Sequence, residues 1–168
     1  MIATVRFLCS NSTVISNASK KITTSGNILT EKLGLKMGLK LKGGETIELV
    51  SDLGGGKTTF VRGVAQGFGS RDKVASPSFT ISRVYTSGAK QMHHFDFYRL
   101  TEAGIMKQEL AEILGDPQTV VVIEWADAVK DVLPKERLTV HIKTVGENER
   151  DFTFTYPPSL GYLMGGIS

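Results

Sequence analysis

A lysine and two threonines directly follow three glycines in this chain, and residues of these types at this spacing could hold a phosphate group. The glycines are Gly54, Gly55 and Gly56. Because they lack Cβ atoms, successive backbone N–H groups can curl around phosphate oxygens. We expect Lys57 to reach the β- and γ-phosphates of a nucleotide. The Thr58 hydroxyl would complete the shell of a Mg²⁺ ion, and Thr59 would donate to the α-phosphate.

A strand before this loop and a helix after it would position these groups. The apolar run Thr46–Val50 has the composition of a strand, and the residues after the loop repeat at helical spacing. The apolar face of that helix consists of Phe60, Val61, Val64 and Phe68. A helix that starts at the loop adds unpaired N–H donors and the positive end of its dipole. This order of elements predicts a nucleotide-binding loop; the alternative is a glycine-rich turn that only caps a helix.

One position departs from the G-x-x-x-x-G-K-[ST] pattern of such loops. Ser51 stands where the pattern has its first glycine. If the backbone there needs a positive φ, serine costs about 1 kcal/mol relative to glycine. A lysine and a nest of N–H groups around a phosphate can outweigh that cost, so we keep the interpretation of the loop as nucleotide-binding.

Two carboxylates that end predicted strands are candidates for metal or water chemistry. Glu124 directly follows the four apolar residues 120–123, and Asp96 ends the predicted strand over 91–95. Ligands of open α/β sheets bind at the carboxyl ends of the strands, where the glycine loop also lies. Glu124 would therefore bind Mg²⁺ or its water, and Asp96 would orient a metal-bound or an attacking water. The alternatives are a solvated acid at a strand end for Glu124 and a helix cap for Asp96.

Four further side chains lie close to these acids in the sequence. His93 and His94 are adjacent on a predicted strand and should point to opposite faces, which disfavours a transition-metal site with Asp96. Arg99 is a candidate to neutralise transition-state charge or to meet a partner, and the alternative is a surface salt bridge. Trp125 is expected either near the nucleotide or in the core.

The remaining pattern predicts an α/β fold with a mixed, mostly parallel sheet that also contains antiparallel strands. The wholly apolar run 120–123 is typical of a strand covered on both faces, so helices should form the outer layers of a three-layer sandwich. Helices are predicted over 28–41, 60–68 and 102–114, with a short turn over 128–133. Strands are predicted over 46–50, 79–85, 91–95, 120–123, 137–144 and 150–156.

Charge and cysteine content exclude several classes of protein. The chain has 168 residues, with 20 Lys and Arg against 17 Asp and Glu and a net charge of +3. So small an excess, without a basic block, does not predict direct nucleic-acid binding. Cys9 is the only cysteine, which excludes an internal disulfide and fits a reducing cytosol. No run approaches the ~18 apolar residues of a membrane span, so we expect a cytoplasmic protein without membrane contact.

We expect three segments along the chain. They are a variable N-terminal segment over 1–25, a phosphate-loop domain over 26–156 and a C-terminal tail over 157–168. Residues 2–9 have the composition of an edge strand, whereas 11–25 are rich in Ser, Thr and Asn, as loops are. The tail is expected to pack as one helical turn at most and to fray at its two adjacent glycines.

Four short motifs occur in a fixed order along the chain. They are Asp-Leu-Gly-Gly-Gly-Lys-Thr-Thr-Phe at 52–60, Ser-Pro-Ser-Phe-Thr at 76–80, His-Phe-Asp-Phe-Tyr-Arg-Leu at 94–100 and Ile-Glu-Trp at 123–125. This set closely resembles the TsaE (YjeE) family, the small bacterial ATPases required for the threonylcarbamoyladenosine modification of tRNA. Thr30 and Gly34 match the Thr-x-x-x-Gly of that family's first helix. The resemblance spans roughly residues 26–156 and implies a P-loop NTPase-like fold.

The resemblance also implies cofactors and residue roles. ATP and Mg²⁺ would be the cofactors, with residues 54–59 on the phosphates and Thr58 and Glu124 on the metal. Lys57, Asp96 and Glu124 would carry catalysis.

Within the resemblance, Ser76 and Thr80 belong to a loop that behaves as a switch beside the γ-phosphate. Members of this family are weak ATPases alone and act on the TsaB–TsaD pair, in which TsaD does the carbamoyl transfer. The chain would therefore meet tRNA only indirectly, through its partners. Two alternatives stay open, a small-molecule kinase and a module that binds nucleotide without turnover, whereas a GTPase is disfavoured because no Asn-Lys-x-Asp-like guanine reader occurs.

Overall fold

The computed structural model describes residues 16–100 and 104–167, which fold around one seven-stranded sheet. The strands are β1 (Ala18–Ser25), β2 (Thr46–Val50), β3 (Ser82–Ser87), β4 (Lys90–Asp96), β5 (Thr119–Glu124), β6 (Leu138–Thr144) and β7 (Glu149–Tyr156). The helices are α1 (Asn27–Gly38), α2 (Lys57–Phe68) and α3 (Gly104–Ile113), with 3₁₀ turns at Ala126–Val129 and Pro158–Met164. Across these two ranges no helix is long and apolar enough to cross a membrane.

The strand order is β1-β7-β6-β2-β5-β4-β3, which puts the strand before the glycine loop at the centre. Strand β2 pairs in parallel with β5 and β6, and β4 pairs in parallel with β5. The pairs β1–β7, β6–β7 and β3–β4 are antiparallel. The predicted mixed α/β sheet is confirmed, with three parallel pairs among six. Because β2, β4 and β5 run in one direction, their carboxyl ends meet at one edge of the sheet.

Apolar side chains cover both faces of the sheet. Every residue of β5 is buried, and its successive side chains alternate between two cores. Val120 and Val122 pack with residues of α1 and α2, whereas Val121 and Ile123 pack with Leu110 of α3. The predicted apolar face of α2 is buried as well, at Phe60, Val61, Val64 and Phe68. The three-layer arrangement predicted from the apolar run is therefore confirmed.

Helices α1 and α2 touch backbone against backbone through glycines. The glycines at this contact are Gly34, Gly38, Gly63 and Gly67. A Cβ atom on Gly34 would lie 2.2 Å from the carbonyl oxygen of Phe60, and one on Gly63 would lie 1.9 Å from that of Glu31. No side chain fits at such distances. Since α2 begins at the glycine loop, this contact fixes where the loop stands relative to the sheet.

The predicted loop over 11–25 is wrong for its second half. Residues Ala18–Ser25 form the edge strand β1, and all eight of them pair antiparallel with β7. Threonine is frequent in polar loops, but its branched Cβ also suits an exposed strand, so composition alone does not separate the two. The strand predicted over 2–9 lies outside the described residues.

The C-terminal tail packs more completely than expected. The predicted helical turn is confirmed as the 3₁₀ turn Pro158–Met164, in which Leu163 and Met164 are buried. Ile167, beyond the two adjacent glycines, is also fully buried, so the expected fraying at those glycines is wrong for this residue. The apolar side chains gain more from joining the core of α1 and α2 than the glycines cost in backbone entropy.

The predicted hairpin is confirmed, but its first strand begins later than the predicted range 79–85. Strand β3 starts at Ser82, and Phe79 is 83% exposed. The chain turns first, because the backbone N–H of Ile81 bonds to the carbonyl oxygen of Pro77 at 2.6 Å and Ile81 takes a positive φ of 66°. The strand was predicted to begin at 79 because the apolar residues alternate from there. The turn after Pro77 delays the start of the strand to Ser82.

Candidate phosphate-binding site

The predicted site residues meet in one crevice of about 260 Å³ at the carboxyl edge of the sheet. It is lined by Leu53, Gly54, Gly55, Gly56, Lys57, Thr58, Thr59, Ser76, Ser78, Asp96, Glu124 and Trp125. A larger groove of about 580 Å³ lies beside β6 and β7 and shares Trp125 with the crevice. That groove contains none of the loop glycines and no Lys57, so the smaller crevice has the groups that would suit a phosphate.

The glycines of the loop meet two kinds of local requirement. Gly54 and Gly56 have positive φ angles of 74° and 102°, which side-chain-bearing residues rarely adopt. Gly55 has an ordinary φ, but a Cβ atom there would lie 1.8 Å from the Oγ of Ser51. Ser51 itself does not have a positive φ, so the strain considered for this departure from the pattern does not arise.

Helix α2 opens towards the crevice with its N-terminus uncapped. Gly56 is the residue before the helix, and no side chain caps the first turn. The first turn also contains no acidic residue that would compete for an anion. Because the first N–H groups of a helix have no intrahelical acceptor and carry the positive dipole end, this terminus suits a phosphate group.

The side chain of Lys57 is almost wholly buried, at 7% exposed, and is held within the crevice. Its ammonium group donates to the carbonyl oxygens of Ser51 at 3.1 Å and Asp52 at 3.0 Å. It lies 3.8 Å from Oε2 of Glu124 and 5.0 Å from the centre of the Trp125 ring. A buried ammonium needs such partners because leaving water costs several kcal/mol. The cation is thus fixed at the mouth of the helix, where an incoming phosphate would meet it.

Glu124 is the last residue of β5 and is 2% exposed, so the alternative of a solvated acid does not describe it. Its two carboxylate oxygens have different partners. Oε1 accepts a hydrogen bond from Nε2 of His94 at 2.9 Å, and Oε2 faces the Lys57 ammonium group. The sequence does not indicate this hydrogen bond, because two adjacent histidines near an acid suggest metal ligands and not a donor to Glu124.

Asp96 stands directly opposite Glu124 in the register of β4 and β5, and it is also buried. Oδ1 accepts the backbone N–H of Tyr98 at 3.0 Å, as expected for the alternative in which Asp96 caps the following turn. Oδ2 accepts a hydrogen bond from the Ser78 hydroxyl group. One carboxylate therefore joins a backbone turn to the loop that contributes Ser76 and Ser78 to the crevice lining.

That loop presents serines, not Thr80, to the crevice. Ser76 and Ser78 share a hydrogen bond of 2.7 Å between their hydroxyl oxygens, and both line the crevice. The hydroxyl group of Thr80 instead donates to the carbonyl oxygen of Ser82 at 3.2 Å. The structure thus brings Ser76 to the predicted site together with Ser78, and it leaves Thr80 outside the lining residues.

Of the two remaining candidates, Trp125 lines the crevice and Arg99 does not. Trp125 is half-buried, lines the crevice and packs on Tyr98 with ring centres 5.0 Å apart. Arg99 does not line the crevice; its guanidinium group lies 4.5 Å from the centre of the Phe79 ring. The alternative for Arg99, a surface salt bridge, is not found within the described part of the chain.

The two adjacent histidines point to opposite faces of β4, as predicted. His93 bonds to the side-chain oxygen of Gln91 at 3.1 Å, whereas His94 bonds to Glu124. Within residues 16–100 and 104–167, no group of three or more His, Cys, Asp or Glu side chains is placed to hold a metal ion. A metal in this crevice would draw part of its shell from a bound ligand and water, as Mg²⁺ does with nucleotide phosphates.

The central parallel strands, the glycine loop and the uncapped helix define a P-loop NTPase-like α/β protein. Comparison with known proteins narrows this class. The model of the TsaE family, described as threonylcarbamoyl adenosine biosynthesis protein TsaE, matches residues 25–152. The chain belongs to the TsaE family, and the resemblance indicated by the four motifs is confirmed.

Individual relatives agree with the family model. The TsaE protein of Bacillus subtilis (strain 168), named as a tRNA threonylcarbamoyladenosine biosynthesis protein, is 40% identical over 119 residues, which are 68% of this chain and 71% of the relative. The protein of the same name from Treponema pallidum is 34% identical over 74% of this chain and 91% of its own length. A crystal structure of Bacillus subtilis YdiB superposes with a TM-score of 0.71 at 34% identity, covering 88% of this chain and 91% of that one.

Proposed function

We propose that this chain is a Mg²⁺-dependent ATPase of bacterial tRNA threonylcarbamoyladenosine modification, and that it acts on a TsaB–TsaD type protein complex in the cytoplasm. The observation that carries the proposal is the buried Lys57 ammonium group at the uncapped start of α2, facing the buried carboxylate of Glu124. Membership in the TsaE family supports the place of this activity in tRNA modification.

The residues of the crevice fit a nucleoside triphosphate with Mg²⁺. Residues 54–59 combine a glycine nest, an uncapped helix start and a buried cation, which together suit a polyphosphate. The hydroxyl group of Thr58 and the carboxylate of Glu124 line the same crevice and are hard oxygen donors of the kind that Mg²⁺ prefers. When bound, Mg²⁺ would neutralise charge on the β- and γ-phosphates.

Each side chain then has a definite task. Lys57 binds and orients the β- and γ-phosphates, and Thr59 donates to the α-phosphate. Glu124 would hold Mg²⁺ or one of its water ligands. Asp96, which shares a hydrogen bond with Ser78, orients water at the γ-phosphate side of the crevice. No side chain needs to form a covalent bond, because phosphoryl transfer depends mainly on positioning and electrostatic stabilisation.

We propose that turnover is slow in the isolated chain and is stimulated by the partner complex. Ser76 and Ser78 connect the exposed loop around Phe79 to Asp96 in the crevice. A partner that covers this loop can therefore change the position of the water-orienting carboxylate. Contact with tRNA would be made through the partners and not by this chain.

Steady-state ATP turnover, measured with and without a TsaB–TsaD pair from the same source, tests this function. We expect phosphate release that requires Mg²⁺, rises with the pair, and stays at background for Lys57→Met under both conditions. If ADP accumulates without matching phosphate once candidate small molecules are added, the chain is a kinase. Tight ATP binding without any turnover in the presence of the pair would leave only a nucleotide-binding module.

A further inference from the structure

His94 is a fully buried histidine that the proposed mechanism does not yet use. It lies on β4 two residues before Asp96, and its Nε2 atom is 2.9 Å from Oε1 of Glu124 on the neighbouring strand. A carboxylate oxygen can only accept, so Nε2 must carry the proton and donate it. Both partners are buried, and hydrogen bonds to charged groups in such surroundings are shorter and stronger than neutral ones.

This hydrogen bond fixes which oxygen of Glu124 is left for the crevice. With Oε1 occupied by His94, Oε2 is the oxygen that faces the Lys57 ammonium group at 3.8 Å. The ring of Tyr85 packs beside the imidazole ring, with 6.2 Å between the ring centres. Tyr85 in turn donates its hydroxyl group to the carbonyl oxygen of Ala75 at 3.0 Å, directly before Ser76.

A purely structural role accounts poorly for a histidine here. The neighbouring buried side chains on the same strand, Met92 and Phe95, are apolar, and an apolar residue at 94 would avoid burying a polar ring. The Nδ1 atom of His94 is buried and has no hydrogen-bond partner among the described residues. Among the described residues, the hydrogen bond to Glu124 is the polar contact that offsets the desolvation cost of the ring.

We propose that His94 is a positioning residue: its Nε2–H holds the Glu124 carboxylate so that Oε2 is presented to a divalent cation or to a water ligand of that cation. The inference rests on the proposed function, since it concerns the same crevice. It adds a residue outside the crevice lining whose effect passes entirely through Glu124.

Two substitutions distinguish the role of the N–H donor of His94 from that of its aromatic ring. His94→Phe keeps an aromatic ring against Tyr85 but removes the N–H donor, whereas His94→Gln keeps an N–H at about the same reach. Calorimetric titration with AMPPNP, in EDTA and in Mg²⁺, gives the gain in affinity due to the cation. We expect His94→Phe to reduce that gain about 10–100-fold, as loss of an outer-shell partner does. Affinity in EDTA should stay unchanged, and His94→Gln should recover most of the gain.

The proposal is overturned if folded His94→Phe shows the wild-type gain from Mg²⁺, or if folded His94→Gln loses as much as His94→Phe. Should the phenylalanine variant fail to fold, the glutamine variant can still overturn the proposal, because a loss of the gain of about 10-fold or more despite the retained N–H donor would contradict it.

A second measurement tests the route through Glu124. In a Glu124→Ala background, adding His94→Phe should cause no further change in the Mg²⁺-dependent gain, and an additional loss of similar size would contradict the proposal. A wild-type chain that binds AMPPNP with no gain from Mg²⁺, or does not bind it, would refute the proposed function itself. Failure of the His94 inference alone leaves wild-type binding intact, so the two failures are distinguishable.

Discussion

The ammonium group of Lys57 lies 3.8 Å from Oε2 of Glu124, and both side chains are almost entirely buried. One comes from the start of α2 and the other from the end of β5, so the contact joins the glycine loop to the neighbouring strand. Each charge compensates for the desolvation of the other. A bound triphosphate would accept hydrogen bonds from Lys57. The Glu124 carboxylate would then depend less on Lys57 and could face a cation.

Replacing Lys57 by Met should weaken ATP binding while keeping most of the buried stem. Loss of charge-assisted hydrogen bonds to phosphate costs about 1.5–3 kcal/mol, or roughly 10- to 150-fold in Kd. Isothermal titration calorimetry measures this directly. Lys130→Ala, at an exposed lysine, is the matched control and should bind ATP as the wild type does. Unchanged ATP affinity in the Lys57 variant would show that the loop does not bind the nucleotide.

Glu124→Gln should slow hydrolysis far more than it weakens ATP binding. The amide keeps the size of the side chain, and Lys57 still has the carbonyl oxygens of Ser51 and Asp52 as acceptors. What is lost is the negative charge that would attract Mg²⁺. Single-turnover hydrolysis beside an equilibrium titration separates the two effects, with Asp127→Asn at an exposed acid as the control. Wild-type hydrolysis in the glutamine variant would move the metal role to Asp96.

Gly63→Ala should destabilise the fold, although alanine normally favours a helix over glycine by about 1 kcal/mol. The added Cβ atom would lie 1.9 Å from the backbone oxygen of Glu31, so α1 and α2 would have to move apart. Overpacking of this kind costs about 1–3 kcal/mol or more. Denaturant unfolding measures the change in the free energy of unfolding. Gly161→Ala is the control, because its Cβ atom would meet only Tyr156, at 3.9 Å. Equal stability in both variants would contradict the close helix contact.

Stability should fall on mild acidification partly because of His93. Burial disfavours its charged form and lowers its pKa from the ordinary value of 6.5, with Glu109 and Asp116 opposing the shift. Below pH 6.5 the unfolded chain binds the proton on His93 more readily than the folded chain does. The stability that neutral His93 contributes is therefore complete above pH 6.5 and is lost as the pH falls towards the lowered pKa. The free energy of unfolding should therefore decline less steeply below pH 6.5 in His93→Gln than in wild type.

The substitution His141→Gln, at an exposed histidine, is the matched control for this pH profile. Parallel profiles for wild type and His93→Gln would show that burial of His93 makes no contribution to acid sensitivity.

The parts of the site predicted from sequence are those encoded by neighbours along the chain. The glycines before Lys57 and the acid after an apolar strand are short patterns, and the direction of parallel strands then brings Glu124 and Asp96 to one edge. The hydrogen bond between His94 and Glu124 depends on the lateral register of β4 and β5, which no local pattern contains. Period-two alternation does place His94 on the same face as Asp96, and that was the available signal.

The fold shows the same division between local and distant information. Strand β5 was predictable because a strand that is buried on both faces consists of a continuous run of apolar residues. Strand β1 was not, since an exposed edge strand and a polar loop share their residue types, and its partner β7 lies at the far end of the chain. The turn before Ser82 was missed because a hydrogen bond to the Pro77 carbonyl outweighs the alternating pattern that follows it.

A crystal structure of the chain with a Mg²⁺–ATP analogue would show which of the two pockets binds the phosphates. We expect phosphates on the backbone N–H groups of residues 54–59, with Lys57 on the β- and γ-phosphates. The cation should lie within coordination or one-water distance of Glu124. A nucleotide bound in the groove beside β6 and β7, or a cation remote from the Glu124 carboxylate, would contradict this assignment.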